Sequence, residues 1–146
     1  IREEVEKHIS FTGKKPVVLV DYLQIMAPYD VRATDKQNTD KAVLELKRLS
    51  RDKKIPILGV SSFNRTSYNG EVAMEAFKES GAIEYGSDVL LGLQFNGAGK
   101  KEYDAKEAKR KNPRDVELVI LKNRNGATGD TIAYEYYPLF NYFKEV

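Results

Sequence analysis

Pro16-Val17-Val18-Leu19-Val20-Asp21-Tyr22-Leu23-Gln24 decides how the rest of this chain is read. Four consecutive aliphatic residues, three of them β-branched, predict a central strand buried on both faces of a parallel sheet. Asp21 stands where that strand should end. Open α/β sheets place their ligands at the carboxyl ends of parallel strands. A carboxylate there can hold the water shell of a Mg²⁺ bound to nucleotide phosphates. A strand that simply ends on a solvated Asp gives the same pattern, so the remaining sequence has to decide between the two.

Working outward, Ile1 to Ser10 has Ile1, Val5 and Ile9 at a spacing of four and predicts the tail of an amphipathic helix, ended by Gly13. A domain seldom opens on such a half-element. Beyond Asp21 the polar segment Tyr29–Asn38, with Arg32 and Lys36, predicts a loop. Asn38 or Thr39 is expected to cap the next helix, which carries an apolar face of Ala42, Val43, Leu46 and Leu49. Pro56 stops that helix and opens a second buried strand, Ile57–Val60. Strand, helix and strand make a βαβ unit, which crosses over right-handed. Ser61-Ser62-Phe63-Asn64-Arg65 then leaves the second strand on the same edge as Asp21, with small, polar and basic residues suited to phosphate.

Further along, Met74–Phe77 predicts a short helical piece and Lys78-Glu79-Ser80-Gly81-Ala82-Ile83-Glu84 leads into another. Asp88–Leu93 reads as a third buried strand, Val116–Leu121 as a fourth and Thr131–Tyr136 as a fifth. The last two form a hairpin around Lys122-Asn123-Arg124-Asn125-Gly126-Ala127-Thr128-Gly129. The expected architecture is α/β: a mostly parallel sheet flanked by helices and closed by an antiparallel hairpin.

The 146 residues suffice for one domain, and 41% hydrophobic with 32% charged residues places the chain among ordinary globular proteins. Zero cysteines exclude disulfides and thiolate metal sites, which fits a cytoplasmic setting, and one histidine leaves too few ligands for a zinc enzyme. No window approaches the ~18 apolar residues of a membrane span. The net charge of +2 conceals an uneven distribution. From Gly97 to Arg114 seven bases face three acids, a local charge of +4, which leaves −2 for everything else. Such a loop is either a solvated insertion or a contact for nucleic acid.

A nucleotide hydrolase of this architecture carries G-x-x-x-x-G-K-[ST] before its metal-binding strand. The sequence has no such motif. Gly13-Lys14-Lys15 lacks the first Gly and the hydroxyl residue. Gly97-Ala98-Gly99-Lys100-Lys101 has Gln94 for the first Gly and Lys101 for Ser/Thr. Together with the half-helix at Ile1, this leads to the expectation that residues 1–146 are the C-terminal portion of a larger ATPase domain.

The order Val-Asp-Tyr-Leu-Gln (20–24), Ser-Ser-Phe-Asn-Arg (61–65), Glu-Ser-Gly-Ala-Ile-Glu (79–84), Asp-Val-Leu-Leu (88–91) and Lys-Asn-Arg-Asn-Gly-Ala-Thr-Gly (122–129) resembles the DnaB-type replicative DNA helicases. The resemblance covers nearly the whole chain. It implies a RecA-like (P-loop NTPase) fold and a homo-hexameric motor that hydrolyses ATP with Mg²⁺ and moves along single-stranded DNA, with a primase and a helicase loader as partners. By position it implies that Asp21 is the Walker B aspartate, acting on Mg²⁺ through water. Lys122 and Arg124 match the pair that reaches a neighbouring subunit's γ-phosphate. Lys78, Glu79 and Gly81 match a DNA-binding channel loop, and Arg32 and Lys36 belong to a second one. Ser62 stands where the family usually has a γ-phosphate-sensing Gln, and its shorter side chain departs from that pattern. The family's phosphate loop and catalytic Glu have no counterpart in these residues, so little hydrolysis is expected of this chain by itself. A RecA-like recombinase ATPase and a non-catalytic DNA-binding or assembly module of the same fold are the alternatives.

Overall fold

The computed structural model describes residues 1–26, 30–63, 70–77 and 81–146. Helix α1 (Arg2–Thr12) ends at Gly13, whose N–H returns to the Ile9 carbonyl at 2.8 Å. Strand β1 (Val18–Val20) follows, then a 3₁₀ turn over Leu23–Ile25 and the long helix α2 (Asp35–Lys53). Strand β2 (Ile57–Gly59), a 3₁₀ turn at Met74–Phe77 and helix α3 (Gly81–Gly86) come next. Strand β3 (Val89–Phe95), helix α4 (Ala105–Arg110) and strands β4 (Arg114–Asn123), β5 (Thr131–Tyr137) and β6 (Tyr142–Glu145) complete the chain.

These elements gather into two units. The first is Ile1–Ser62 with Glu79–Ser87, and the second is Phe63–Lys78 with Asp88–Val146. In the first, β1 and β2 pair in parallel, Val18 against Ile57 and Val20 against Gly59. Val5, Leu49 and Ile55 form a buried cluster against which Ile9, Val18 and Ile57 pack. It joins α1, α2 and both strands, the βαβ unit that the hydrophobic spacing predicts. Lys53 closes the α1–α2 contact with an ion pair to Glu6 at 2.7 Å. That hydrogen bond, with the nearby charge, holds the Glu6 carboxyl below its ordinary pKa.

Two expectations change here. Strand β1 is covered on one face among the described residues. Val20 is buried, while Val17, Leu19 and Leu58 are exposed. The period of two in a strand sends Val18 and Val20 to the α1/α2 side and Leu19 to the other. Helix α2 also starts earlier than the apolar face suggests. Its cap is Thr34, whose hydroxyl accepts from the Gln37 N–H, while the Gln37 side chain accepts from the Thr34 N–H at 2.9 Å. This is a reciprocal capping box. The hydrophobic pattern does not reveal it, because the first turn of α2 holds no apolar residue.

In the second unit the strands form an antiparallel meander, β3-β4-β5-β6. Strand β3 therefore is not a strand buried on both faces. Leu90 and Gly92 point inward and Val89, Leu91 and Leu93 outward, the alternation of an antiparallel strand with one covered face. A register shift at Leu90/Leu91 leaves Leu121 as an extra residue on β4, a bulge beside the 122–129 turn. Gln94 ties the meander to the segment before it. Its carbonyl oxygen accepts from the Val72 N–H at 2.6 Å, and its amide donates to Glu117 at 2.7 Å. Strand β6 has no counterpart among the elements expected from the sequence. It is fixed by Tyr136 stacking on Phe143, with ring centroids 4.4 Å apart.

Candidate functional site

At the carboxyl ends of β1 and β2 the chain continues as two short, mutually bonded segments. Val60 N–H donates to the Val20 carbonyl and Leu23 N–H to the Val60 carbonyl, both at 2.9 Å. Asp21 follows β1 directly and is exposed, its carboxylate open to an ion or a water shell from solvent. Ser61 and Ser62 leave β2 on the same edge. Gln24 fastens the two segments together. Its amide donates to the Ser61 hydroxyl at 2.8 Å, and its carbonyl oxygen accepts from the Ser62 N–H at 3.4 Å. The sequence places Gln24 inside a motif but assigns it no role. The only signal is its place three residues after Asp21, and the structure supplies the partner 37 residues away. Ser62 itself is exposed, and it is held in place through its main chain.

Among the described residues no group of three or more His, Cys, Asp or Glu could hold a metal by itself. A divalent cation at Asp21 would meet one carboxylate. That donor set suits Mg²⁺, which is commonly bound through one or two carboxylates with waters and substrate phosphates making up the octahedron. Such an ion would neutralise charge on the phosphates of a bound nucleotide.

The basic residues assigned to DNA contact fall as follows. Arg32 lies exposed in the turn before α2, its N–H donating to the Asp30 carboxylate at 2.8 Å. Lys36 is in the first turn of α2 and exposed, so it is a helix residue and not a loop residue as expected. Gly81 opens α3, and the following N–H, of Ala82, donates to Asp40 on α2 at 3.3 Å. Among the described residues, a Cβ at Gly81 would meet only the Tyr85 ring, at 3.9 Å. Nothing within the described residues requires glycine there. Lys78 and Glu79 lie outside the described residues.

In the second unit, Lys122 is the penultimate residue of β4, half-buried opposite Leu90. Arg124 lies one residue past the strand end. Its N–H donates to the Asp88 carbonyl at 2.9 Å and its guanidinium stands 3.4 Å from the Asp88 carboxylate. Strand β4 ends at Asn123, between Lys122 and Arg124, and the fold supplies Arg124 with an acid, Asp88, that is distant in sequence. Both side chains of that pair are about half exposed, 52% and 54%. Such a pair contributes at most ~1 kcal/mol and can be exchanged for a stronger anion. The turn is tight at Gly126, where a Cβ would stand 2.5 Å from the Asn123 amide. The Asn123 side chain in turn accepts from the Asn125 N–H at 3.3 Å.

Comparison with known proteins identifies relatives of this chain. Replicative DNA helicase DnaB of Leifsonia xyli is 27% identical over 135 residues, covering 89% of this chain and 27% of the relative. Replicative DNA helicase DnaC of Bacillus subtilis is 29% identical over 132 residues, covering 87% and 27%. The chain thus spans little more than a quarter of these relatives. Among solved structures, a DnaB-like replicative helicase described with its interactions with primase superposes with a TM-score of 0.78 at 20% identity, over 97% of this chain and 34% of that one. A second solved structure, an isolated ATPase domain, superposes with a TM-score of 0.76 at 21% identity, over 98% and 50%. These two show that the fold is shared. The family model of the DnaB-like helicase C-terminal domain matches residues 1–145, and the chain belongs to that family.

Proposed function

We propose that this chain is the part of a replicative DNA helicase motor that carries the Mg²⁺-facing aspartate, the DNA-contacting elements and the cations that complete a neighbour's site. The observation that carries the reading is Asp21, exposed at the carboxyl end of β1 beside the parallel β2, in a chain of this family. Within a longer polypeptide that brings a phosphate loop, Asp21 would face the Mg²⁺ of bound ATP. Gln24 would set the distance of Ser61 and Ser62 from it. A hexamer threaded by single-stranded DNA, working with a primase and a loader in the cytoplasm, is the assembly that this reading implies.

The sequence carries no G-x-x-x-x-G-K-[ST] motif to cradle β- and γ-phosphates, and a lone carboxylate such as Asp21 would bind Mg²⁺ weakly. The 146-residue chain by itself is therefore expected to hydrolyse ATP no faster than a buffer control. A coupled phosphate-release assay checks this, and robust turnover by the pure chain would overturn the division of labour proposed.

Arg32, Lys36 and Lys78 are assigned to phosphates and not to base edges, because a motor passes every sequence. Substituting each with alanine in the helicase is expected to weaken single-stranded DNA binding equally for all sequences. The slope of log K against log salt should shrink by roughly 0.7 for each lost contact. Losses that depend on base composition would refute the assignment.

A further inference from the structure

The basic segment between β3 and β4 is not used by the site described above. It is an ordered finger. Its entry is fixed by the Asn96 N–H donating to the Asp115 carbonyl at 3.0 Å and the Ala98 N–H to the Phe95 carbonyl at 3.1 Å. Gly99, with φ +82°, lies so close to the chain at Glu71 that a Cβ would stand 2.6 Å from the Glu71 nitrogen. Asp104 caps α4 by accepting from the Lys106 and Glu107 N–H groups at 2.7 and 3.2 Å. Arg114 reaches back from β4 and donates to the Lys109 carbonyl at 3.0 Å. Lys111 pairs with Asp115 at 2.8 Å, and that hydrogen bond raises its pKa.

With Asp104 occupied as a cap and Lys111 already paired, the finger still presents Lys100, Lys101, Lys106, Lys109 and Arg110. All five are exposed, and none has an ion pair among the described residues. On α4, Lys106, Lys109 and Arg110 are spaced three and four apart, which puts them within an arc of about 100° on one side of the helix. The exposed large apolar residues of the chain include none between 97 and 114. This decides the class of partner. Protein interfaces centre on buried aromatic and aliphatic anchors. Contacts to a nucleic-acid backbone need only Lys and Arg set against phosphates.

We propose that the 97–114 finger is a second, sequence-independent nucleic-acid binding surface, in which Lys100, Lys101, Lys106, Lys109 and Arg110 meet backbone phosphates. It is distinct from the contacts assigned to Arg32, Lys36 and Lys78, and it rests on this chain's own charge distribution, not on the helicase reading. Single-stranded and duplex DNA present the same phosphate chemistry, and the salt dependence separates them.

The test uses the 146-residue chain, fluorescence anisotropy, and labelled single strands of about 20 nucleotides and duplexes of about 20 base pairs, in several sequences, at roughly 50 to 200 mM salt. Three variants are compared with the original. One has the five finger cations changed to Gln, one has Arg32→Gln with Lys36→Gln, and one has Lys14, Lys15, Lys41, Lys54 and Arg51 changed to Gln as a charge-matched control. Circular dichroism shows that each is folded. The finger variant is expected to bind at least ~10-fold more weakly at low salt, with a slope shallower by up to about 3.5 on single strands or about 4.5 on duplexes. The form whose change reaches its own full value is the one engaged. Equal losses in the finger and control variants would mean that net charge alone acts, and would overturn the proposal. Loss confined to the Arg32/Lys36 variant would overturn the finger while leaving the DNA-contact assignment standing. Displacement of DNA by polyglutamate at equal charge concentration, as readily as by unlabelled DNA, would show an acidic-protein surface and overturn it as well.

Discussion

If the proposed function holds, Arg124→Ala in a helicase containing these residues is expected to cut ATP turnover at least ~100-fold, about 2.7 kcal/mol of transition-state stabilisation, while nucleotide binding and ring assembly persist. The reasoning starts from the turn. Strand β4 ends at Asn123, the Asp88 carbonyl receives the Arg124 N–H, and the Asn123 side chain folds over Gly126. The backbone that launches the guanidinium is thus held from two sides. Its present partner, Asp88, is half exposed at 3.4 Å, a contact that costs little to exchange for a phosphoryl oxygen carrying developing charge. A cation supplied in trans is known in phosphoryl transfer, where such an arginine is worth ~10³–10⁵ in turnover in small GTPases. Lys122, half-buried in the last residues of β4, is less free to move, and its substitution should also reduce turnover. A lowered kcat with unchanged nucleotide affinity supports this role. A rise in KM at constant kcat would instead mark Arg124 as a ground-state binding residue.

The largest effect on stability is expected at Leu49. It is 2% exposed and lies in the cluster with Val5 and Ile55, where α1, α2, β1 and β2 converge. Leu49→Ala truncates a side chain in a site that those four elements cannot easily close around, and should cost about 2–5 kcal/mol. Domains of this size have only ~5–15 kcal/mol in hand, so the urea midpoint should fall steeply. Leu44, on the same helix but 49% exposed, provides the comparison, since alanine there should change stability by under ~1 kcal/mol. Similar losses at the two positions would mean that the cluster is not the core of that unit.

The βαβ unit is legible in the sequence because its cause is local: Leu46 and Leu49 sit at helical spacing on α2, Val5 and Ile9 on α1, and Pro56 marks the join to β2. The Asp21 edge is legible for the same reason, as a charge placed at the end of an apolar run. The direction of β3 is not. Val89–Leu93 is nearly continuous in apolar residues, which fits a strand buried on both faces as well as one whose outer face is exposed, and only pairing with β4 separates the two. Gln24 and Asp88 escape sequence reading because each acts on a residue far along the chain, and no periodicity reports such a pairing. Strand β6 escapes because Pro138 and the Asn141 turn interrupt an aromatic run, and its register is set by the stacking of Phe143 on Tyr136.

The most direct measurement of the proposed function mixes two subunits of a helicase containing these residues, Arg124→Ala and Asp21→Asn, each expected to be inactive alone, and follows ATP hydrolysis as a function of their ratio, with subunit exchange verified by mass spectrometry. If Arg124 serves the neighbour's nucleotide, each junction between an intact Asp21 and an intact Arg124 restores one working site. At equal amounts about a quarter of the junctions in a rotationally symmetric ring are of this kind, so activity should rise to about that share of the wild-type value. Mixed rings that stay as inactive as either parent would contradict the account and place Arg124 outside its neighbour's active site.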